Sequence, residues 1–200
     1  MTRHIAIVLF DGAEELDWAG PWEVFTMLAQ VEEGSCEVCT VSEHGGEVRC
    51  AKGLRVLADH SFDACPKSDI LVIPGGQGTR VEDKNRAMLD FVRRMDATTE
   101  VTSSVCTGAF VLESAGLLTG KRATTHWGSI ERLRARGTVE VLEDTRFVDE
   151  GHIVTAAGVS AGIDMSLHLV GRLWSPEVAR RVQKAMEYFP EPPYGDVAVG

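Results

Sequence analysis

The sequence is short of positive charge. Its 200 residues hold 20 Lys and Arg against 30 Asp and Glu, a formal net charge of −10, and no basic cluster breaks that excess. Nucleic acid and anionic membrane both need a local positive field on their partner, so neither is expected, and a small-molecule substrate remains. Long apolar runs are missing too. A stretch such as Ile5 to Phe10 is far shorter than the roughly 20 residues of a membrane-spanning helix. Met1-Thr-Arg-His4 passes straight into a strand-like run, with no room for a signal region and cleavage site, so the cytoplasm is the expected compartment. Cys36, Cys39, Cys50, Cys65 and Cys106 are odd in number and scattered, which fits reduced thiols better than a disulfide framework. His4, His44, His60, His152 and His168 lack zinc-type spacing, so no metal is expected. No repeat, linker or low-complexity block divides the chain, and its 44% hydrophobic content is that of a globular protein. One domain over residues 1–200 is the expectation.

Strand and helix patterns alternate. His4 to Phe10 is almost wholly apolar and stops at Asp11-Gly12, as a parallel strand covered on both faces does. Gly20-Pro21 then predicts a helix start with proline at its first position, followed by Trp22, Phe25, Met27 and Leu28 on an apolar face. Cys36 to Val41 reads as a second strand, and Val48 to Leu57 as a short hairpin or crossover between the turns Gly45-Gly46 and Lys52-Gly53. Asp69 to Pro74 is a buried strand ending in Pro74-Gly75-Gly76, and a helix is predicted over 83–95. Val101 to Val105, Thr107 to Leu118 and Lys121 to His126 read as strand, helix, strand. This alternation implies an α/β fold, a mostly parallel sheet with helices on both faces. Val139 to Thr155 looks like a small antiparallel insert. Two helices, Ala161 to Trp174 and Pro176 to Tyr188, precede a proline-rich tail, Pro190 to Gly195, that is expected to lie extended across a surface or a partner subunit.

The segment Ser103-Ser-Val-Cys106-Thr-Gly-Ala109 joins a buried strand to a helix and has the form of a nucleophile elbow. Such a turn strains its central residue, accepts only small residues two positions away, here Ser104 and Gly108, and leaves the central side chain exposed. Cys106 is that side chain. Backbone N–H groups and the positive end of a helix dipole would lower its pKa toward neutral. The plainer alternative is a small buried cysteine filling space at a strand end. A thiolate nucleophile needs a proton carrier, and strand ends gather such groups. Asp17, in the loop after the first strand, is one candidate and a helix cap the alternative. His126, at the end of a later strand, is another, with a hydrogen-bonded structural histidine as its alternative. Glu23 lies just inside the first helix. Glu14 and Glu15 read as solvated charges. Gly75 and Gly76 could turn backbone N–H groups toward charge developing beside Cys106, although the turn lacks the marks of a P-loop or dinucleotide fingerprint. Trp127 is a candidate pocket wall. Cys36-x-x-Cys39 sits within a strand, where positions i and i+3 face opposite sides, and both are read as core.

These residues resemble a known family. Gly12 to Asp17 with Gly20-Pro21-Trp-Glu23-Val-Phe25, Val72 to Gly76, Ser104 to Gly108, Ala115 to Leu118, Ala123 to Trp127 and Gly158 to Asp164 are similar to the ThiJ/PfpI superfamily of class I glutamine amidotransferase-like proteins, over nearly the whole chain. Within it, the loop Leu16-Asp-Trp-Ala-Gly-Pro-Trp-Glu23 and the ending Glu187 to Tyr194 most resemble isonitrile hydratases. The resemblance implies a flavodoxin-like three-layer sandwich, a homodimer, and hydration of an isonitrile to an N-substituted formamide without a cofactor. It makes Cys106 the nucleophile, Asp17 the acid/base group, and Thr107 a site residue, and puts His126 where some members use a catalytic histidine. The superfamily also holds glyoxalase- or deglycase-like members, which place Glu where this chain has Asp17. Its protease-like members place His where this chain has Thr107. Its transcription regulators carry a helix-turn-helix after this domain, a reading the stop at Gly200 makes unexpected. A non-catalytic redox sensor using Cys106 is the alternative of a different class.

Overall fold

The computed structural model describes residues 2–193, and the architecture below is that of those residues. In chain order the elements are β1 (Arg3–Val8), α1 (Glu15–Val31), β2 (Cys36–Ser42), β3 (Gly46–Arg49), β4 (Arg55–Ala58), β5 (His60–Ser61), β6 (Ile70–Ile73), α2 (Thr79–Glu82), α3 (Arg86–Asp96) and β7 (Val101–Val105). They continue with α4 (Gly108–Ser114), β8 (Arg122–Ala123), α5 (Ile130–Arg134), β9 (Glu140–Val141), β10 (Phe147–Glu150), β11 (Ile153–Ala156), α6 (Ala161–Leu173) and α7 (Pro176–Ala185). Tyr194 and Gly195, the end of the expected extended tail, lie outside the described residues.

The apolar runs form strands because both faces of the sheet are covered, so side chains of either parity are buried. All residues of β6, β7 and β11 are buried, as is β1 beyond its first two positions. The main sheet has seven strands in the order β10-β11-β7-β6-β1-β2-β5. Every neighbouring pair is parallel except β10 with β11. Helices α1, α6 and α7 pack on one another, and α4 packs on α2 and α3. The amphipathic α3 shows the logic: Met88, Phe91, Val92 and Met95 face the core, while Asn85 caps it by accepting the Ala87 N–H at 3.0 Å. This is the expected α/β sandwich, with β3 and β4 as a small antiparallel sheet at its side.

Several boundaries differ from expectation, each for a tertiary reason. Helix α1 starts at Glu15, so Asp17 lies in its first turn and Pro21 in its interior. Pro21 marks a helix crossing: a Cβ on Gly20 would sit 3.0 Å from Ile163, and one on Gly162 would sit 3.4 Å from Pro21. The strand expected over Lys121 to His126 shrinks to Arg122–Ala123. Beyond it, the Thr124 N–H goes to the Thr155 hydroxyl and the Thr125 hydroxyl to the Cys106 carbonyl. Within Val139 to Thr155, β10 and β11 are antiparallel as expected, and β11 also joins the main sheet beside β7.

The order β7-β6-β1-β2 contains a reversal. From β1 the chain steps to β2 on one side and later returns to place β6 on the other. In parallel sheets the crevice beyond the strand ends at such a reversal is the usual ligand position. The segments leaving β1, β6 and β7 carry Asp17, Gly75-Gly76 and Cys106.

Candidate functional site

Backbone bonds tie the loops after β1 and β6 together. Ala13 and Gly76 form an isolated antiparallel bridge, Glu14 N–H donates to the Gly75 carbonyl at 2.9 Å, and Gly78 N–H donates to the Gly12 carbonyl at 3.1 Å. The contact leaves no space for side chains. A Cβ on Gly76, whose φ is +118°, would lie 2.4 Å from Glu14 N, and one on Gly75 would lie 2.5 Å from Thr107 N and 2.8 Å from Asp17 Oδ2.

The segment after β7 is the strained elbow expected of it. Cys106 has φ +56°, in the left-handed region that residues other than glycine enter at a cost. Its N–H donates to the Ala157 carbonyl at 2.9 Å and its carbonyl accepts from the Thr125 hydroxyl at 2.7 Å, so the turn is held from both sides. A Cβ on Gly108 would fall 2.3 Å from the Ile73 carbonyl oxygen, which explains the small residue there. The thiol is not exposed as the elbow form suggests. Cys106 is 6% exposed and forms part of the floor of a 370 Å³ cavity.

Asp17 is fully buried beside it. Its Oδ2 accepts the Gly75 N–H at 2.8 Å, and the Cys106 thiol and Val159 N–H also face the carboxyl. Oδ1 has no partner of full hydrogen-bond geometry. Burial disfavours the charged form and outweighs these bonds, so the Asp17 carboxyl is pushed up to about 7. Burial, and then the charge on Asp17, push the Cys106 thiol up to about 12. The Thr107 N–H does favour the thiolate, as expected at the start of a helix, but this is the smaller effect. The expected fall in the thiol pKa is therefore reversed. The buried pair keeps a proton on sulfur, with a carboxyl group beside it that can take the proton or return it near neutral pH.

The remaining residues surround this pair. The Thr107 hydroxyl accepts the Gly76 N–H at 3.0 Å and lies 3.0 Å from the Thr79 hydroxyl. The N–H groups of Gly75 and Gly76, expected as donors to developing charge, donate in this structure to Asp17 and Thr107. His126 lines the same cavity, with its Nδ1 accepting the Gly128 N–H at 3.1 Å. Its ring packs against Gly158, where a Cβ would lie 2.4 Å from Cδ2. Trp127 stands exposed at the cavity wall. Glu14, Gln77, Arg80, Gly128, Ser129 and Val159 complete the lining. Glu23 is exposed on α1 and does not take part. Val159, at φ +47°, escaped sequence reasoning because a β-branched residue is a poor candidate for the left-handed region; its neighbours Gly158 and Ser160 were the available signal. Among the described residues no group of three or more His, Cys, Asp or Glu side chains is placed to hold a metal ion. No described helix is long and apolar enough to cross a membrane.

The model of the DJ-1/PfpI family matches residues 3–172. This chain belongs to the DJ-1/PfpI family. Isonitrile hydratase of Pseudomonas putida is 37% identical over 194 residues, covering 97% of this chain and 82% of that protein. A ThiJ/PfpI family protein from Pseudomonas syringae superposes with a TM-score of 0.89 at 30% identity, covering 98% of this chain and 78% of that one. Drosophila melanogaster DJ-1beta has the same fold, with a TM-score of 0.83 at 22% identity over 95% of this chain and 100% of its own. The resemblance drawn from the sequence is to this family.

Proposed function

We propose that this DJ-1/PfpI chain hydrates an isonitrile to an N-substituted formamide, with Cys106 as nucleophile and Asp17 as acid/base group. The observation that carries the reading is the buried carboxyl of Asp17 against the Cys106 thiol, pushed up to about 7. The similarity to the Pseudomonas putida isonitrile hydratase supports the choice of substrate.

The terminal carbon of R–N≡C is the electrophile. As Sγ bonds to it, the thiol proton passes to the Asp17 carboxylate and from there to the carbon, giving the thioimidate R–N=CH–S–Cys106. Water then adds across C=N, its oxygen to carbon and a proton to nitrogen. The tetrahedral adduct collapses to R–NH–CHO, and the departing sulfur takes back the hydroxyl proton through Asp17. Atoms balance as one isonitrile plus one water. A carboxyl near 7 suits both directions of transfer. Thr107 holds the turn of Gly76 against the elbow, and His126 and Trp127 form cavity wall.

The test is steady-state formamide production from an aryl isonitrile by reduced protein, beside Cys106→Ala and Asp17→Asn, with methylglyoxal as a parallel substrate. Turnover by the wild type that is lost in both variants is the expected result. Lactate from methylglyoxal without formamide from the isonitrile would replace the hydratase reading with a glyoxalase one.

A further inference from the structure

Four of the five cysteines take no part in the proposed reaction. Cys36 and Cys50 are buried, while Cys39 and Cys65 are half-buried and meet at one side of the sheet. Cys39 lies in β2, and β5 pairs with that strand only at Val41 and Ser42, so at Cys39 β2 is the last strand of the sheet. Cys65 lies in the loop between β5 and β6. That loop folds back to the edge: Pro66, the residue after Cys65, shares with Cys39 the lining of a 540 Å³ cavity. The two side chains are hydrogen-bonded to each other, the Cys39 thiol donating to the Cys65 sulfur. The Cys65 thiol donates in turn to the Pro66 carbonyl at 3.4 Å. Ser68 donates to the same carbonyl at 3.1 Å, and Arg94 holds the start of the loop through the Phe62 carbonyl at 2.6 Å.

The two thiols are unequal. The hydrogen bond from Cys39 holds the Cys65 thiol below its ordinary value, with Ser68 and the Arg94 charge adding to it against burial. The same bond, and then burial, push the Cys39 thiol up. One sulfur is thus the readier nucleophile and the other its protonated neighbour, as in an attacking and a resolving cysteine. A metal does not fit between them. Asp59, the carboxylate in the same cavity, spends Oδ2 on the Thr40 N–H and hydroxyl, both at 2.8 Å, and among the described residues no three His, Cys, Asp or Glu side chains are placed to hold an ion. Cys106 is out of reach. Cys39 is level with Ala6, Leu71 and Thr102 on the strands leading to β7, three strands across and four residues along from Cys106, a distance on the order of 20 Å.

We propose that Cys39 and Cys65 form a second reactive site, separate from the Cys106 cavity, at which a hydroperoxide oxidises the two thiols to a disulfide. The Cys65 sulfur attacks the terminal peroxide oxygen, the O–O bond breaks, and water or an alcohol leaves with the thiol proton. The Cys39 sulfur then attacks the Cys65 sulfenic acid, the S–O bond breaks, and the hydroxyl leaves with the Cys39 proton as water. Two thiols give up two electrons and two protons to one peroxide.

The experiment treats the reduced full chain with one equivalent of hydrogen peroxide, blocks free thiols with N-ethylmaleimide and maps tryptic peptides without reduction. The expected main disulfide is a Cys39 to Cys65 crosslink, two hydrogens lighter than the dithiol and opened again by dithiothreitol. Cys36→Ala, which removes the other cysteine of the same tryptic peptide, keeps it. Cys65→Ser abolishes it and leaves Cys39 reduced, whereas Cys39→Ser abolishes it and leaves on Cys65 a sulfenic acid that dimedone captures. Before any peroxide is added, iodoacetamide near neutral pH is expected to modify Cys65 about tenfold or more faster than Cys39. Three results in the wild type overturn the proposal: both thiols left free by peroxide, a Cys65 sulfenic acid that persists beside Cys39, or a crosslink no more abundant in the folded chain than in chain oxidised in denaturing urea. The hydratase reading stands or falls apart from this, since the chemistry stays on two sulfurs remote from Cys106.

Discussion

Cys106 and Cys36 are almost equally buried, 6% and 5% exposed, and burial pushes both thiols up. Cys36 sits in strand β2 and donates to the Phe25 carbonyl at 3.3 Å. Cys106 sits at φ +56°, against a buried carboxyl, on the floor of a cavity. Burial and residue type therefore do not distinguish a structural thiol from a reactive one. The strained backbone does, because such strain persists only where the surroundings enforce it, and so does the proton carrier that only one of the two thiols has.

The comparison can be broken at each point. Cys106→Ala should lower formamide production by at least about 10³-fold, since no other group supplies the nucleophile; the check is steady-state kinetics beside a thermal melt that shows the variant folded. Asp17→Asn should lower kcat/KM by about 10²- to 10⁴-fold and erase a pH limb. In the wild type kcat/KM should rise between pH 6 and 8 with a midpoint near 7, as the Asp17 carboxylate becomes available to accept the thiol proton. The same group carries a stability signature of defined sign. Asp17 binds its proton more tightly folded, at about 7, than at its ordinary 3.8. Unfolding free energy should therefore fall as pH rises from about 4 to 7, by on the order of 4 kcal/mol at most from this group. Denaturant titrations should show Asp17→Asn flat across that window and more stable than wild type at pH 8.

Gly75→Ala tests the packing that brings carboxyl and thiol together. Its Cβ would meet Thr107 N at 2.5 Å, so the loop must shift, with a loss of about 10²-fold in kcat/KM for a displacement near 1 Å and of about 1–3 kcal/mol in stability. The smallest effect is expected at the other cysteine. Cys36→Ala should leave turnover in place and lose about 1 kcal/mol of stability, measured by chemical denaturation. Loss of activity in that variant would remove the distinction between the two thiols.

Much of this arrangement was legible in the chain. A buried β-branched run followed by Ser104-Val-Cys-Thr-Gly108 located the elbow and its small neighbours, since sterics at a strand-to-helix turn act locally. The residue type of Asp17 and its place beyond the first strand pointed to a proton carrier, but not its seat in the first turn of a helix. Pro21 read as a helix start by local propensity, whereas α1 begins at Glu15 and meets α6 at Gly20. Tertiary packing set that boundary. The partners of the Gly75 and Gly76 N–H groups, Asp17 and Thr107, were hidden for a similar reason: they lie far away in sequence. The rise in the Cys106 pKa was likewise hidden, because it comes from burial and from the charge on Asp17, which only the folded chain brings to the sulfur. Val159 comes from the segment after β11, and no spacing in the chain joins it to Asp17 and Cys106.

The most direct measurement is the intact mass of reduced protein quenched in acid during turnover of an aryl isonitrile, followed by peptide mapping. The thiol adds across the isonitrile carbon without losing an atom, so the account predicts an adduct heavier by the whole substrate mass, located on Cys106 and absent from Cys106→Ala. Formamide production at wild-type rate by Cys106→Ala, with no adduct on any cysteine, would contradict it.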